Sequence, residues 1–120
     1  MREQQPRAGV VSGSFTTARS LGEGLAGMGY LVDTWEEAAP ASWSYQLLVV
    51  DSNAPGMGPE TLRSLRSAAG AYVAVVVGWW DEREFELGPE ADFVLHVPLR
   101  ECELRELEAD LGKQRGVSAA

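Results

Sequence analysis

The sequence has little cysteine, little histidine and no long apolar run. Its one cysteine, Cys102, cannot form an internal disulfide, and with the one histidine, His96, it offers neither a zinc-ligand cluster nor a Cys-His pair for nucleophilic catalysis. The longest apolar stretches, such as residues 71–77, are far too short to span a bilayer. The amino-terminal residues 1–7 include an acid and two amides and lead into no signal-peptide segment. These absences predict a cytoplasmic protein that is not bound to a membrane and does not use Cys-His catalysis.

Basic residues are also scarce. Ten lysines and arginines stand against 18 acids, so the net charge is -8. Such a charge repels phosphate backbones and anionic lipid surfaces, and we expect no direct binding to nucleic acid. The length of 120 residues suits one compact domain. We expect the ends, residues 1–7 and 113–120, to be flexible.

Three short apolar runs rich in β-branched residues predict strands at residues 8–11, 47–50 and 73–77. Runs that are apolar at every position are typical of parallel strands covered on both faces. Two weaker strand candidates lie at residues 30–35 and 93–97.

Segments of helical period lie between these strands. Residues 15–28 carry apolar side chains at three- and four-residue steps, and Gly29 is a predicted helix stop. This helix contains three further glycines, so it must depend on packing for its stability. The segment 36–44 is ambiguous because Pro40 interrupts it. The remaining helical candidates are residues 60–69, residues 100–111 and a short acidic turn or helix at 81–87.

This alternation of strands and helices predicts an α/β fold with a doubly wound parallel sheet and helices on both faces. In such sheets the functional loops follow the carboxyl ends of the strands. Candidate site residues therefore lie in the loops at residues 12–14, 51–53 and 78–80.

Residues 48–58, Leu-Val-Val-Asp-Ser-Asn-Ala-Pro-Gly-Met-Gly, resemble the signature of response-regulator receiver domains from bacterial two-component signalling. In that family an apolar strand ends in the phospho-accepting aspartate, which corresponds here to Asp51. The spacing of residues 10–30 and the stretch 91–99 also resemble the family, so the likeness covers residues 8–112. It implies a flavodoxin-like, CheY-like sheet of five strands in the order 2-1-3-4-5.

The resemblance also implies which residues are missing. The family's acidic pair, which holds Mg²⁺ together with the acceptor aspartate, aligns with Ser12 and Gly13. Its hydroxyl residue at the end of the fourth strand aligns with Gly78, and its lysine aligns with Val97. We therefore expect weak or absent Mg²⁺ binding and no other cofactor. Asp51 is either a residual carboxylate that caps nearby backbone amides or a phosphorylation or ligand site.

The hydroxyl-rich loop at residues 12–17 runs from a strand into a helix, a geometry that can bind an anion through backbone amides. Ser12, Gly13, Ser14 and Thr16 are the candidate anion-binding residues. The loop is also similar to the phosphate loop of flavodoxins, which keeps an FMN or phosphate binder open as an alternative. The other interpretation is that a hydroxyl of this loop caps the helix.

Candidate partner surfaces follow the predicted fourth strand and line the last helix. Trp79 and Trp80 are adjacent, so both cannot enter the same core, and an exposed tryptophan is a candidate binding anchor. The family's aromatic switch position aligns with Val94, or with Phe93 if the strand slips by one residue. The acids predicted to be exposed on the last helix are Glu101, Glu103, Glu106, Glu108 and Asp110. Cys102, near the start of that helix, is expected to be partly buried.

These features together predict an atypical receiver, a pseudo-receiver, that binds proteins without being phosphorylated. The resemblance implies a kinase, an output protein or a second copy of the chain as partner, the last as a homodimer through the face of the family's fourth helix, fifth strand and fifth helix. The alternative is a phospho-accepting response regulator with altered chemistry at Asp51.

Overall fold

The computed structural model describes residues 6–36, 45–69 and 72–119, which form a five-stranded parallel sheet flanked by helices. The strands are β1 (Arg7–Val11), β2 (Leu31–Trp35), β3 (Leu47–Asp51), β4 (Tyr72–Gly78) and β5 (Phe93–Val97). The helices are α1 (Phe15–Gly27), α2 (Pro59–Ala69), α3 (Arg83–Leu87) and α4 (Glu101–Ala119), with a 3-10 turn at Gly88–Glu90. The strand order is β2-β1-β3-β4-β5, and every pairing is parallel. The predicted fold class and strand order are confirmed.

The sheet separates two apolar cores, because successive side chains of a strand point to opposite faces. Val49 faces a core built with α1 and α4, whereas its neighbour Val50 faces a core built with α2 and α3. All five residues of β3 are buried. This double coverage explains why the central strands are continuous apolar runs.

The predicted element bounds are close to the observed ones at most positions. Helix α1 ends at Gly27, and Gly29 follows with φ +97°, so the predicted stop is confirmed. The last helix was predicted to end at Leu111 but continues to Ala119. Most of the ambiguous segment 36–44 lies outside the described residues. No helix in the described part of the chain is long and apolar enough to cross a bilayer.

The glycines of α1 are explained in part by its contact with α4. A Cβ atom added to Gly24 would lie 2.9 Å from Cδ1 of Leu104. The absence of a side chain therefore lets the two helices approach closely on one face of the sheet. Leu21 and Leu25 of α1 pack with Leu107 of α4 in the same core. Packing compensates for the low helix propensity of this segment, as the sequence predicts.

Candidate functional site

Asp51 ends β3 at the carboxyl edge of the sheet, where its side chain is only 6% exposed. The Ser12 hydroxyl, at the end of the neighbouring strand β1, donates a hydrogen bond of 2.8 Å to Oδ2 of Asp51. The backbone N–H of Asn53 donates to Oδ1 at 3.0 Å. Both carboxylate oxygens are therefore bound within the protein, one by a side chain and one by the backbone.

The hydroxyls of the loop after β1 make internal contacts. The Ser14 side chain caps α1 by accepting a hydrogen bond of 3.3 Å from the N–H of Thr17. The N–H of Ser14 in turn donates to Oγ of Ser12 at 3.1 Å. Gly13 lies between them, and a Cβ added there would be 3.5 Å from Cδ of Pro55. The predicted helix cap is thus present at Ser14, and Thr16 lies outside this hydrogen-bonded group, facing a groove between α1 and the start of α4.

Gly78 and Val97, which the resemblance aligns with the family's hydroxyl and lysine, end two adjacent strands. They are register partners in the β4–β5 pairing. A Cβ added to Gly78 would meet nothing within 4 Å, and Val97 packs against the core on the α1 and α4 side. Neither residue brings a polar side chain to this edge of the sheet.

Arg83, at the start of α3, reaches the loop that follows Asp51, a contact that the sequence did not indicate to us. Its guanidinium donates hydrogen bonds to the carbonyls of Ser52 and Met57, the latter at 2.7 Å. Arg83 is the only lysine or arginine between Arg66 and Arg100, and this isolation in an acidic stretch is the signal that could have identified it. The arginine connects α3 to the loop carrying the candidate site. Beneath this contact, the Ser52 hydroxyl is buried without a hydrogen-bond partner among the described residues.

His96 lies in β5, and its ring connects this strand to both α3 and α4. Its Nδ1 lies 2.6 Å from Glu103 in α4, and its Nε2 lies 2.8 Å from Glu84 in α3. Ionised carboxylates only accept hydrogen bonds, so both ring nitrogens donate when the two glutamates are ionised, and the ring is then an imidazolium. Burial opposes the charge, but the hydrogen bonds to the two glutamates outweigh it and raise the pKa of His96. His96 therefore binds these carboxylates and makes no contact with Asp51.

The two adjacent tryptophans have different environments. The Trp79 ring stacks on the His96 ring, with centroids 4.2 Å apart, while the Arg100 guanidinium lies 4.6 Å from the Trp79 ring centre. The Trp79 indole N–H donates to the carbonyl of Pro98 at 3.2 Å. Trp80, in contrast, is 95% exposed and has a positive φ of 70°. One of the two rings is thus exposed, as the sequence predicts.

The last helix differs from the prediction at several positions. Glu101 and Glu106 are exposed as predicted, but Glu103 is buried because it binds both the backbone N–H and the ring of His96. Asp110 is partly buried and accepts a hydrogen bond from the Tyr72 hydroxyl. Cys102 was expected to be partly buried, but it is exposed. Of the two residues that the resemblance aligns with the family's aromatic switch, Val94 packs against the core on the α2 and α3 side, and Phe93 packs against the core on the α1 and α4 side.

Within residues 6–36, 45–69 and 72–119, no three His, Cys, Asp or Glu side chains are grouped so that they could hold a metal ion.

Comparison with known proteins gives a match in structure only. No protein-family model matches the sequence, and no curated protein matches it. A signal receiver domain of an HD domain-containing protein from Pseudomonas fluorescens superimposes with a TM-score of 0.78 at 16% identity, covering 99% of this chain and 95% of that one. The chain has the fold of a receiver domain.

Other receiver-type structures show the same likeness. A response regulator from Thermotoga maritima matches with a TM-score of 0.76 and 19% identity over 91% of this chain and 99% of that one. A two-component response regulator from Clostridium difficile matches with a TM-score of 0.74 and 15% identity over 92% of this chain and 98% of that one. In each comparison the shared fold therefore extends over almost the full length of both chains.

Proposed function

We propose that this chain is a cytoplasmic pseudo-receiver of two-component-type signalling, which acts by binding protein partners and is not phosphorylated. It is then an interaction module and not an enzyme. The carrying observation is the environment of Asp51, whose two carboxylate oxygens are held by the Ser12 hydroxyl and the Asn53 N–H.

The donor set around Asp51 does not fit Mg²⁺. This cation prefers octahedral oxygen ligands and is usually bound through carboxylates, which supply compensating charge. Ser12 stands where receivers carry an acid, and its hydroxyl is directed at Oδ2 of Asp51. Gly13 has no side-chain oxygen. One carboxylate with its two oxygens already hydrogen-bonded is a poor magnesium ligand.

Two further positions at this edge of the sheet do not supply the groups with which receivers stabilise a transferring phosphoryl group. Gly78 ends β4 and Val97 ends β5, and neither has a hydrogen-bond donor in its side chain. Loss of one such electrostatic contact typically slows a reaction by about 10²-fold or more. The loss of an acidic pair, a hydroxyl and a lysine together favours a domain that does not accept phosphate.

Two other functions remain as candidates. A phospho-accepting regulator is favoured by the position of Asp51 at the end of the third strand, where receivers carry their acceptor. A flavodoxin-like FMN or phosphate binder is favoured by the hydroxyls of residues 12–17, although Ser12 and Ser14 use theirs internally. Stoichiometric yellow colour in the purified protein, or a thermal shift with FMN, would support the flavin function over the pseudo-receiver.

The proposal is tested by thermal unfolding with and without Mg²⁺. We expect no stabilisation of the wild-type chain by millimolar Mg²⁺. The double variant Ser12→Asp/Gly13→Asp restores the family's acidic pair, and we expect it to gain Mg²⁺-dependent stability, because ligand binding to the folded state raises the unfolding temperature. Addition of Asp51→Asn to this variant should remove the gain. Stabilisation of the wild-type chain by Mg²⁺, lost in Asp51→Asn, would contradict the proposal.

A further inference from the structure

Two large aromatic side chains project into solvent beside His96 and the two glutamates that it binds. Trp80 is 95% exposed and Phe85, in α3, is 86% exposed. They line one pocket of about 380 Å³, whose other walls include Trp79 and His96. Exposed aromatic groups of this size often mark a binding surface. Trp80 also has a positive φ, a backbone conformation that is disfavoured for a bulky residue and is concentrated at functional sites.

Unpaired acids flank these aromatic groups. Glu82 and Glu86 are exposed, and within the described part of the chain neither carboxylate has an ion-pair or hydrogen-bond partner. Glu82 directly precedes α3 and has helical backbone angles, so it lies on the same side as Phe85 and Glu86, three and four residues later. Glu101 of α4, by comparison, is exposed but paired with Arg105 at 2.8 Å. The acids beside Phe85 are therefore available to a cation from outside the chain.

We propose that Trp80, Glu82, Phe85 and Glu86, here called the aromatic-acidic surface, bind a basic amphipathic segment of a protein partner. Lysine or arginine side chains of the segment pair with the two glutamates, and its apolar side chains cover Phe85. A cation can also lie over the Trp80 ring, the best of the aromatic faces for this contact. This inference rests on the proposed function, since it names the chemistry of the partner.

Charge favours this occupant over the others. The net charge of -8 repels anionic lipid and nucleic acid. A second copy of the chain docked through the same surface would bring Glu82 and Glu86 against the same acids of its partner. A basic protein segment matches both the charge and the aromatic character of the surface.

The probe for the test is a fluorescein-labelled synthetic helix of leucine and lysine, about 18 residues or five turns long. A leucine-glutamate peptide of the same pattern is its counterpart. Fluorescence anisotropy measures the binding of each peptide to the full chain and to three variants: Trp80→Ala, Glu82→Gln/Glu86→Gln and Glu23→Gln/Glu36→Gln. The last variant is the matched control, because it removes the same charge from exposed positions on α1 and after β2, outside every candidate partner surface.

We expect the lysine peptide to bind and the glutamate peptide not to bind. Trp80→Ala should weaken binding about tenfold or more, as is common for a tryptophan at the centre of an interface. Glu82→Gln/Glu86→Gln should weaken it severalfold at low salt and less at high salt, whereas the Glu23→Gln/Glu36→Gln control should stay close to wild type. All substituted residues are exposed, so circular dichroism should show unchanged folding.

Three results would overturn the inference. An equal loss of affinity in the two double variants would indicate that net charge alone drives binding. An unchanged affinity in Trp80→Ala would exclude this ring from the binding site. Self-association in sedimentation that Trp80→Ala abolishes would assign the surface to a second copy. Binding is repeated after treatment with acetyl phosphate and Mg²⁺. A change in affinity upon phosphorylation of Asp51 would contradict the proposed function and leave the surface assignment intact.

Discussion

Raising the pH is expected to weaken the connection that His96 makes between α3 and α4. The His96 side chain is 15% exposed, and each ring nitrogen faces a carboxylate, from Glu84 or Glu103. A neutral imidazole has only one N–H, so after deprotonation one carboxylate faces a lone pair. The charged neighbours that share this region are Asp81, in the same pocket, and Arg100, on the Trp79 ring.

The bond to Glu103 is expected to contribute most of the stabilisation. Glu103 is 12% exposed, and a hydrogen bond to a charged group in such a place contributes about 1.5–3 kcal/mol. Glu84 is 40% exposed and screened by water, so its pair contributes about 0.2–1 kcal/mol. Loss of the charge should lower the free energy of unfolding by about 1–3 kcal/mol.

The direction of the pH dependence follows from the raised pKa of His96. A histidine whose pKa is higher in the folded state stabilises the fold fully below its unfolded pKa, which is about 6.5. The stabilisation is lost as the pH rises through the folded value. The stability contributed by His96 should therefore decline on the alkaline side of about pH 6.5.

The assay uses the fact that the chain has one histidine. Proton NMR of the imidazole gives its titration midpoint without ambiguity, and urea unfolding at about pH 6 and pH 9 gives the stability change on either side of the ordinary histidine pKa. Both are performed in a Cys102→Ser background, because an exposed free thiol can form disulfides between chains. His96→Gln should lose the pH dependence. A midpoint at or below about 6.5, or the same pH dependence in His96→Gln, would refute the reasoning.

Two further predictions concern the helices and the loop after β3. Gly27→Ala should stabilise the fold by up to about 1 kcal/mol, since a Cβ there meets nothing within 4 Å and helix propensity improves. Gly29→Ala should destabilise the fold, because its φ of +97° is a conformation that alanine adopts only with strain. Urea unfolding of both variants checks these opposite signs, and stabilisation by Gly29→Ala would contradict the structure. Arg83→Met removes the hydrogen bonds to the carbonyls of Ser52 and Met57, so the rate of amide hydrogen exchange in the loop 52–57 should increase on the order of tenfold. An unchanged exchange rate would contradict a role of Arg83 in holding this loop.

The fold could be predicted from sequence because its central strands are buried on both faces. The continuous apolar runs of β3 and β4 identify them without help from the rest of the chain. The edge strand β2 was a weaker signal because its side chains are only partly buried or exposed. The end of α4 was missed since the apolar stripe ends at Leu111, while the backbone continues as a helix to Ala119.

The candidate site was predictable only where strand order alone brings residues together. Ser12 and Asp51 end neighbouring strands, so their contact follows from the order of the sheet. Glu103 was assigned to the exposed face of its helix, and nothing in its local pattern indicates a bond to His96. The contacts of His96 and Arg83 depend on how α3 and α4 pack at the edge of the sheet, which neither local propensity nor periodicity specifies.

The most direct test of the account is intact-mass spectrometry of the chain after incubation with acetyl phosphate and Mg²⁺, with a conventional receiver domain treated in parallel. We predict no added phosphoryl group on this chain under conditions that label the conventional receiver, because the positions that the resemblance aligns with the family's acidic pair, hydroxyl and lysine carry Ser12, Gly13, Gly78 and Val97. A stoichiometric, Mg²⁺-dependent gain of about 80 Da that disappears in Asp51→Asn would contradict the account.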